Sequence, residues 1–202
     1  MLSIALPKGR IADETLRLFK KIYGGDFAFE SRKLILTKGD FRFFLVRSQD
    51  VPTYVTHGAA ELGICGKETL LEQNALVTEL LDLKIGRCKV ALGMRKGERL
   101  DPSISHLKAA TKMVNIAKRF FAKKAMAVEI VKLYGSIELA PLTGLADAIV
   151  DIVETGETME ENGLEAVETI LESSARLFAN RDSFIERKAE IMALREAIVE
   201  VI

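Results

Sequence analysis

The chain has 202 residues, and its 29 Lys and Arg are balanced by 29 Asp and Glu, so no field of one sign draws it to nucleic acid or an anionic membrane. Hydrophobic residues make up 49%, enough for the core of one domain or of two small ones. Two histidines, no tryptophan and two cysteines (Cys65, Cys88) without ligand spacing leave little material for a histidine-built metal site or a Ser-His-Asp triad, and both thiols read as buried in a reducing compartment.

Residues 1–7 (MLSIALP) lack the basic flank and apolar length of a secretion signal, and no run approaches membrane-spanning length. A cytoplasmic protein is expected. Residues 3–6 read as a short buried strand and 7–10 as a turn. Residues 11–23 have the spacing of an amphipathic helix, with Ile11, Leu16, Leu18, Phe19 and Ile22 on or near its apolar face. Residues 34–37 and 41–46 flank Lys38-Gly39-Asp40 as a hairpin. A helix over 51–57 tolerates Pro52 in its first turn. A buried strand over 62–65, a helix over 67–73 and strands over 77–81 and 88–94 follow. The polar stretch 95–102 (RKGERLDP) breaks the pattern. Beyond it the spacing predicts a strand over 110–114, a helix over 116–125, and strands over 128–133, 148–153 and 168–179. A terminal helix over 182–201 has Asp182 or Ser183 as its cap. Strands alternating with helices predict an α/β architecture with largely parallel pairing, in two lobes of ordinary domain size.

The most informative segment is 147–158 (DAIVDIVETGET), an apolar strand carrying Asp151 in its middle and running into a glycine turn rich in hydroxyls. Such a turn before a helix N-terminus aims backbone N–H groups at one spot and cradles an anion. A carboxylate just upstream accepts hydrogen bonds from sugar hydroxyls. Together these suit a ribose 5-phosphate. Thr158 and Glu161 also have the spacing of a capping box, and Gly156 serves equally as a turn glycine. Neither common phosphate-loop pattern, G-x-x-x-x-G-K-[ST] or G-x-G-x-x-G, is present.

Four further loops carry charge beside a strand. Lys8-Gly9-Arg10 opens a helix, where cations oppose the dipole unless an anion joins them. Arg47 ends a strand, the place where open α/β sheets bind ligands, and Asp50 is placed to cap the next helix. Gly66-Lys67 repeats the arrangement, and Glu138 adds an acid in 135–141 (GSIELAP). Five such loops suggest one shared cleft.

Taken in order, ALPKGR (5–10), DVPTYV (50–55) with HGAA (57–60), LGICG (62–66), ATK (110–112) with NIA (115–117), GSIELAP (135–141) and residues 145–158 resemble the short form of the ATP phosphoribosyltransferase family. The resemblance implies a two-lobed fold like the type II periplasmic binding proteins, with the active site in the interlobe cleft. Lobe one would comprise residues 1–90 and 178–202 and lobe two residues 91–177, with crossings near 88–94 and 174–179. The implied reaction joins ATP, through adenine N1, to 5-phosphoribosyl 1-pyrophosphate, the first step of histidine biosynthesis. Carried over by position, Glu154, Thr155, Gly156, Glu157 and Thr158 hold the 5-phosphate, and Asp151 with Glu138 the ribose hydroxyls. Lys8, Gly9, Arg10, Arg47, Asp50, Gly66 and Lys67 fall to ATP or pyrophosphate, and Asp151, Arg47 and Lys8 are the residues expected in catalysis. Magnesium rides on the pyrophosphate. A histidyl-tRNA-synthetase-like regulatory subunit is the implied partner, around a homodimer. Ser48 stands where the family pattern has proline, and Met113-Val114 where it has Tyr-Pro. The rival is a two-lobed binding or sensor module without catalysis, since a fold does not fix a function.

Overall fold

In the computed structural model, which describes residues 1–103 and 106–202, β1 (Leu2–Pro7) lies inside a sheet covered on both faces. Leu2, Ile4 and Leu6 face one apolar cluster while Ala5 faces another, as the period of two in a strand requires. The sheet also contains β2 (Ile35–Lys38), β3 (Phe41–Val46), β4 (Leu62–Gly66), β5 (Thr78–Asp82) and β11 (Ala175–Ala179), in the order β2-β3-β1-β4-β11-β5. Helix α1 (Arg10–Tyr23) drives Phe19 into a ring cluster, edge-on to Phe41 and Phe43 with centroids 5.0 Å away in each case. Full burial of such a ring contributes about 1.5–3 kcal/mol. The second face is closed by α2 (Val51–Thr56) and α3 (Lys67–Gln73) through Val51, Val55 and Leu70.

The second sheet takes β6 (Cys88–Arg95), β7 (Leu107–Thr111), β8 (Val128–Lys132), β9 (Ala148–Val153) and β10 (Leu164–Ser173) in the order β10-β6-β9-β7-β8. Its helices are α4 (Val114–Lys123), α5 (Leu139–Leu142) and α6 (Glu157–Glu161). Pairing is mixed rather than largely parallel. β1 is parallel to β3 and β4, and β7 to β8 and β9, whereas β11 runs antiparallel to β4 and β5, and β6 to β9 and β10. β2 is antiparallel to β3, as the expected hairpin requires; the other antiparallel pairings involve the strands on which the chain leaves one sheet and enters the other.

The two compact units are Met1–Gly86 with Ser174–Ile202, and Arg87–Ser173. Boundaries at 90/91 and 177/178 would cut through β6 and β11, but each strand is hydrogen-bonded wholly within one sheet. The single strand anticipated over 168–179 is two, β10 and β11, broken at Ser174, because each half pairs in a different sheet. The strand anticipated over 110–114 ends at Thr111: its buried hydroxyl accepts the Met113 N–H at 2.8 Å, and α4 starts one residue later. The terminal helix is also two, α7 (Arg181–Glu186) and α8 (Lys188–Val199). Its cap is Asn180, whose Oδ1 accepts from the Asp182 and Ser183 amides at 3.0 Å each, rather than either of those residues. Cys65 is buried, but Cys88, at the start of a strand, is only half-buried.

Candidate active site

Unit two gathers its chemistry at one edge of its sheet. β7, β8 and β9 are parallel, so the loops after them, carrying Lys112, Glu138 and residues 154–156, leave from the same edge. This is where open α/β sheets bind ligands. Along β9, Ile149 and Val153 pack with Ala110, Ile137, Ala140 and Met159. The period of two puts Asp151 on that same face, between them. A carboxylate there costs stability unless paired. Its Oδ1 accepts the Ile152 N–H at 2.8 Å and lies 3.3 Å from Lys112 Nζ.

Past β9 the chain turns through Glu154 and Thr155 to Gly156, which takes φ +95° and ψ −11° at the start of α6. Thr155 Oγ1 accepts the Glu157 N–H at 3.4 Å. The capping box suggested by Thr158 and Glu161 is not built, because α6 starts at Glu157 and Thr158 already lies inside it, its carbonyl accepting from the Asn162 side chain at 2.8 Å. Glu154, Thr155, Glu157 and Thr158 are all exposed, and buried Met159 anchors the turn to the core. Glu138 stands half-buried at the head of α5. Among the described residues no hydrogen bond or ion pair joins it to Asp151.

Unit one presents its cations in the same way. Pro7 is level with Val46 in the β1–β3 pairing, and the Lys8 N–H donates to the Val46 carbonyl at 2.8 Å, so Lys8 and Arg47 emerge side by side from parallel strands. Both are exposed. Gly9 adopts φ +100° and ψ −155°, a region essentially reserved for glycine, and its carbonyl accepts the Ala12 N–H at 3.0 Å as α1 begins. Arg10 meets Glu14 one helical turn on, at 3.7 Å, which offsets its unfavourable position at a helix N-terminus. Asp50 does not cap α2 with its side chain: a 3-10 turn over Ser48–Asp50 leads directly into the helix, and Asp50 is itself helical at φ −90°, ψ −18°. Lys67 is ion-paired with Glu79 of β5, and Arg176 reaches Glu79 at 3.6 Å and Asp82 at 3.0 Å. Behind this network, burial pushes the Cys65 thiol well above its usual range, with the charges of Glu68 and Glu79 adding to the effect. It is a packing group, not a nucleophile.

These clusters have clear relatives. A family model for ATP phosphoribosyltransferase matches residues 47–200, and the ATP phosphoribosyltransferase of Sulfurovum sp. (strain NBC37-1) is 57% identical over 202 residues, covering 100% of this chain and 98% of that protein. The chain belongs to the ATP phosphoribosyltransferase family. A chain of the ATP phosphoribosyl transferase (HisG:HisZ) complex from Thermotoga maritima superposes with a TM-score of 0.87 at 34% identity, covering 100% of this chain and 98% of that one. The Bordetella pertussis BvgS periplasmic VFT2 domain follows with a TM-score of 0.63 at 12% identity, covering 100% of this chain and 87% of that one. That likeness speaks to the fold alone: the α/β architecture is of the periplasmic-binding-protein type, as the sequence resemblance implied. Membership of the ATP phosphoribosyltransferase family makes the chain a pentosyltransferase and disfavours the binding-module alternative.

Within that family frame, the departures at Ser48 and Met113-Val114 fall in the 3-10 turn before α2 and at the junction of β7 with α4. Lys112 is the neighbour of Asp151 that reasoning from single motifs passed over. Its signal was the ATK string at 110–112, but nothing local tied it to an acid 39 positions later.

Proposed function

We infer that the two clusters divide the family's reaction, in which N1 of the adenine of ATP displaces pyrophosphate from C1 of 5-phosphoribosyl 1-pyrophosphate, the first step of histidine biosynthesis. Unit two holds the phosphoribosyl group. The turn at Thr155, Gly156 and Thr158, flanked by Glu154 and Glu157, cradles the 5-phosphate with backbone N–H groups and hydroxyls, and Asp151, with Glu138 nearby on the same sheet edge, accepts from the ribose hydroxyls. Unit one serves the triphosphate and the departing pyrophosphate through Lys8, Gly9, Arg10 and Arg47, with Asp50, Gly66 and Lys67 around them. The observation that carries this reading is Asp151, a buried carboxylate on β9 three residues before a turn of exposed hydroxyls.

The residues present suit this chemistry. Adenine N1 has a lone pair and requires no strong base, so the work is positioning two anionic substrates and stabilising charge on the leaving group. Exposed Lys8 and Arg47 are suited to the second task. Magnesium arrives on the pyrophosphate as part of the substrate and keeps most of its waters. Glu154 and Glu157 are spread along an exposed turn and make no demand for a resident ion.

No helix among the described residues is long and apolar enough to cross a membrane, in keeping with a cytoplasmic setting. By analogy with the Thermotoga HisG:HisZ complex, the chain works with a regulatory subunit; a homodimer within that hetero-oligomer is what the family resemblance implies. The test mixes purified chain, ATP, phosphoribosyl pyrophosphate and magnesium, with and without such a subunit. Phosphoribosyl-ATP is expected in at least one arm. Its absence from both would overturn the reading.

A further inference from the structure

We propose that Lys112 is a positioning residue of the phosphoribosyl site, holding the Asp151 carboxylate in the orientation in which it meets ribose. This rests on the role given to Asp151 above. The Lys112 ammonium lies 3.3 Å from Asp151 Oδ1, the same oxygen that accepts the Ile152 N–H at 2.8 Å. Two donors on one oxygen fix the plane of the carboxylate and leave Oδ2 as the atom that faces ligand.

The backbone around Lys112 is built to aim it. Thr111 is fully buried. Its hydroxyl donates to the Val150 carbonyl at 2.6 Å and accepts the Met113 N–H at 2.8 Å. One bond ties the end of β7 to β9 just before Asp151, and the other closes the turn just after Lys112. The residue between them departs from a clamped backbone, toward the neighbouring strand.

The pair is also shielded enough to matter. The side chains of Lys112 and Asp151 are 30% and 13% exposed, so removing the ammonium leaves a largely desolvated carboxylate without its counter-ion. Such a carboxylate can rotate to find other donors, and ribose then meets the wrong oxygen. Lysine suits the task as a compact point charge that contacts a single oxygen; the forked guanidinium of arginine engages both. Nothing in this role requires Lys112 to touch the substrate.

A double-mutant cycle with ribose 5-phosphate as ligand tests the idea by calorimetry on the full chain, with inorganic phosphate as a second probe. Lys112→Met is expected to weaken ribose 5-phosphate binding about tenfold while leaving inorganic phosphate within about twofold, because the cradle is untouched. In an Asp151→Asn background the same substitution should cost less than about twofold, since its effect passes through the carboxylate. Lys112→Gln, which keeps a donor for the same oxygen, should recover part of the loss, and it replaces the methionine variant in the cycle if that one fails to fold. Wild-type binding by Lys112→Met, equal losses in both backgrounds, or an equal loss for inorganic phosphate each overturns the proposal. If Asp151→Asn alone binds ribose 5-phosphate normally, the ribose role of Asp151 fails. If that variant is weakened and Lys112→Met is not, only the positioning role fails.

Discussion

The carboxylate of Glu68 folds back over Gly66, so that a Cβ on residue 66 would overlap both Glu68 carboxylate oxygens. Gly66 has an ordinary extended backbone, φ −61° and ψ 145°, so a side chain at 66 conflicts with the Glu68 carboxylate in space and not with its own backbone. Glu68 is itself buried and accepts from the Thr69 hydroxyl at 3.1 Å. Gly66→Ala should therefore expel Glu68 and destabilise the fold by about 1–2 kcal/mol, the scale of losing a buried polar contact. The same change made in a Glu68→Ala background should cost almost nothing. Denaturant midpoints for the four proteins measure this, and equal costs in both backgrounds would place the obstacle elsewhere.

Gly156 presents the opposite case. A Cβ there meets nothing closer than Val153 Cγ1 at 3.9 Å, but the backbone sits at φ +95°. Gly156→Ala should cost about 1–2 kcal/mol from the left-handed conformation and raise KM for phosphoribosyl pyrophosphate more than KM for ATP. Gly135→Ala serves as a control, since that position has open space and no positive φ; its stability should hold or rise slightly. An unchanged KM in Gly156→Ala would remove the turn from the phosphate site.

Asp151→Asn keeps the shape of the side chain and loses its charge. A hydrogen bond to a charged group contributes about 1.5–3 kcal/mol, so kcat/KM for phosphoribosyl pyrophosphate should fall by about tenfold to a hundredfold, with circular dichroism unchanged. Steady-state rates equal to wild type would sink the assignment.

The Glu61 carboxyl lies below its usual range. Burial pushes it upward, but hydrogen bonds from the Ser3 hydroxyl and amide, together with the Arg187 charge, outweigh that. The Ser3 amide donates at 2.6 Å and Arg187 Nη1 lies 2.9 Å away, joining β1 to the residue between α7 and α8. Because the unfolded chain binds the proton more tightly, this stabilisation is fully present above the unfolded value of about 4.3 and is lost as pH falls through the folded value. Glu61→Gln should lower stability by about 1–2 kcal/mol at pH 7. The gap to wild type should shrink on acidification, and urea unfolding at pH 7 and at pH 3 measures it. A gap that stays constant would assign the loss to packing alone.

Much of the fold was written locally. The bounds of α3, β3 and β9 follow directly from apolar periodicity and the turn residues beside them, and Gly156 takes the positive φ of the glycine turn expected after β9. What periodicity does not encode is which sheet a strand joins. The stretch 168–179 reads as one continuous strand, yet Ser173 pairs with Cys88 while Ala175 pairs with Gly66. Two different sets of hydrogen-bonding partners divide it.

The sequence by itself determined most of the strands, the helices of the first unit, the glycine turn at Gly156 and the ordered motifs that led to the family. Only the tertiary structure decided which charges meet. Lys67 found Glu79, Arg187 found Glu61, and Lys112 met Asp151 across 39 residues. Local propensity acts over a turn or two of chain, whereas a salt bridge or a steric limit is set by which strands become neighbours. That choice is made by burying both faces of each sheet at once.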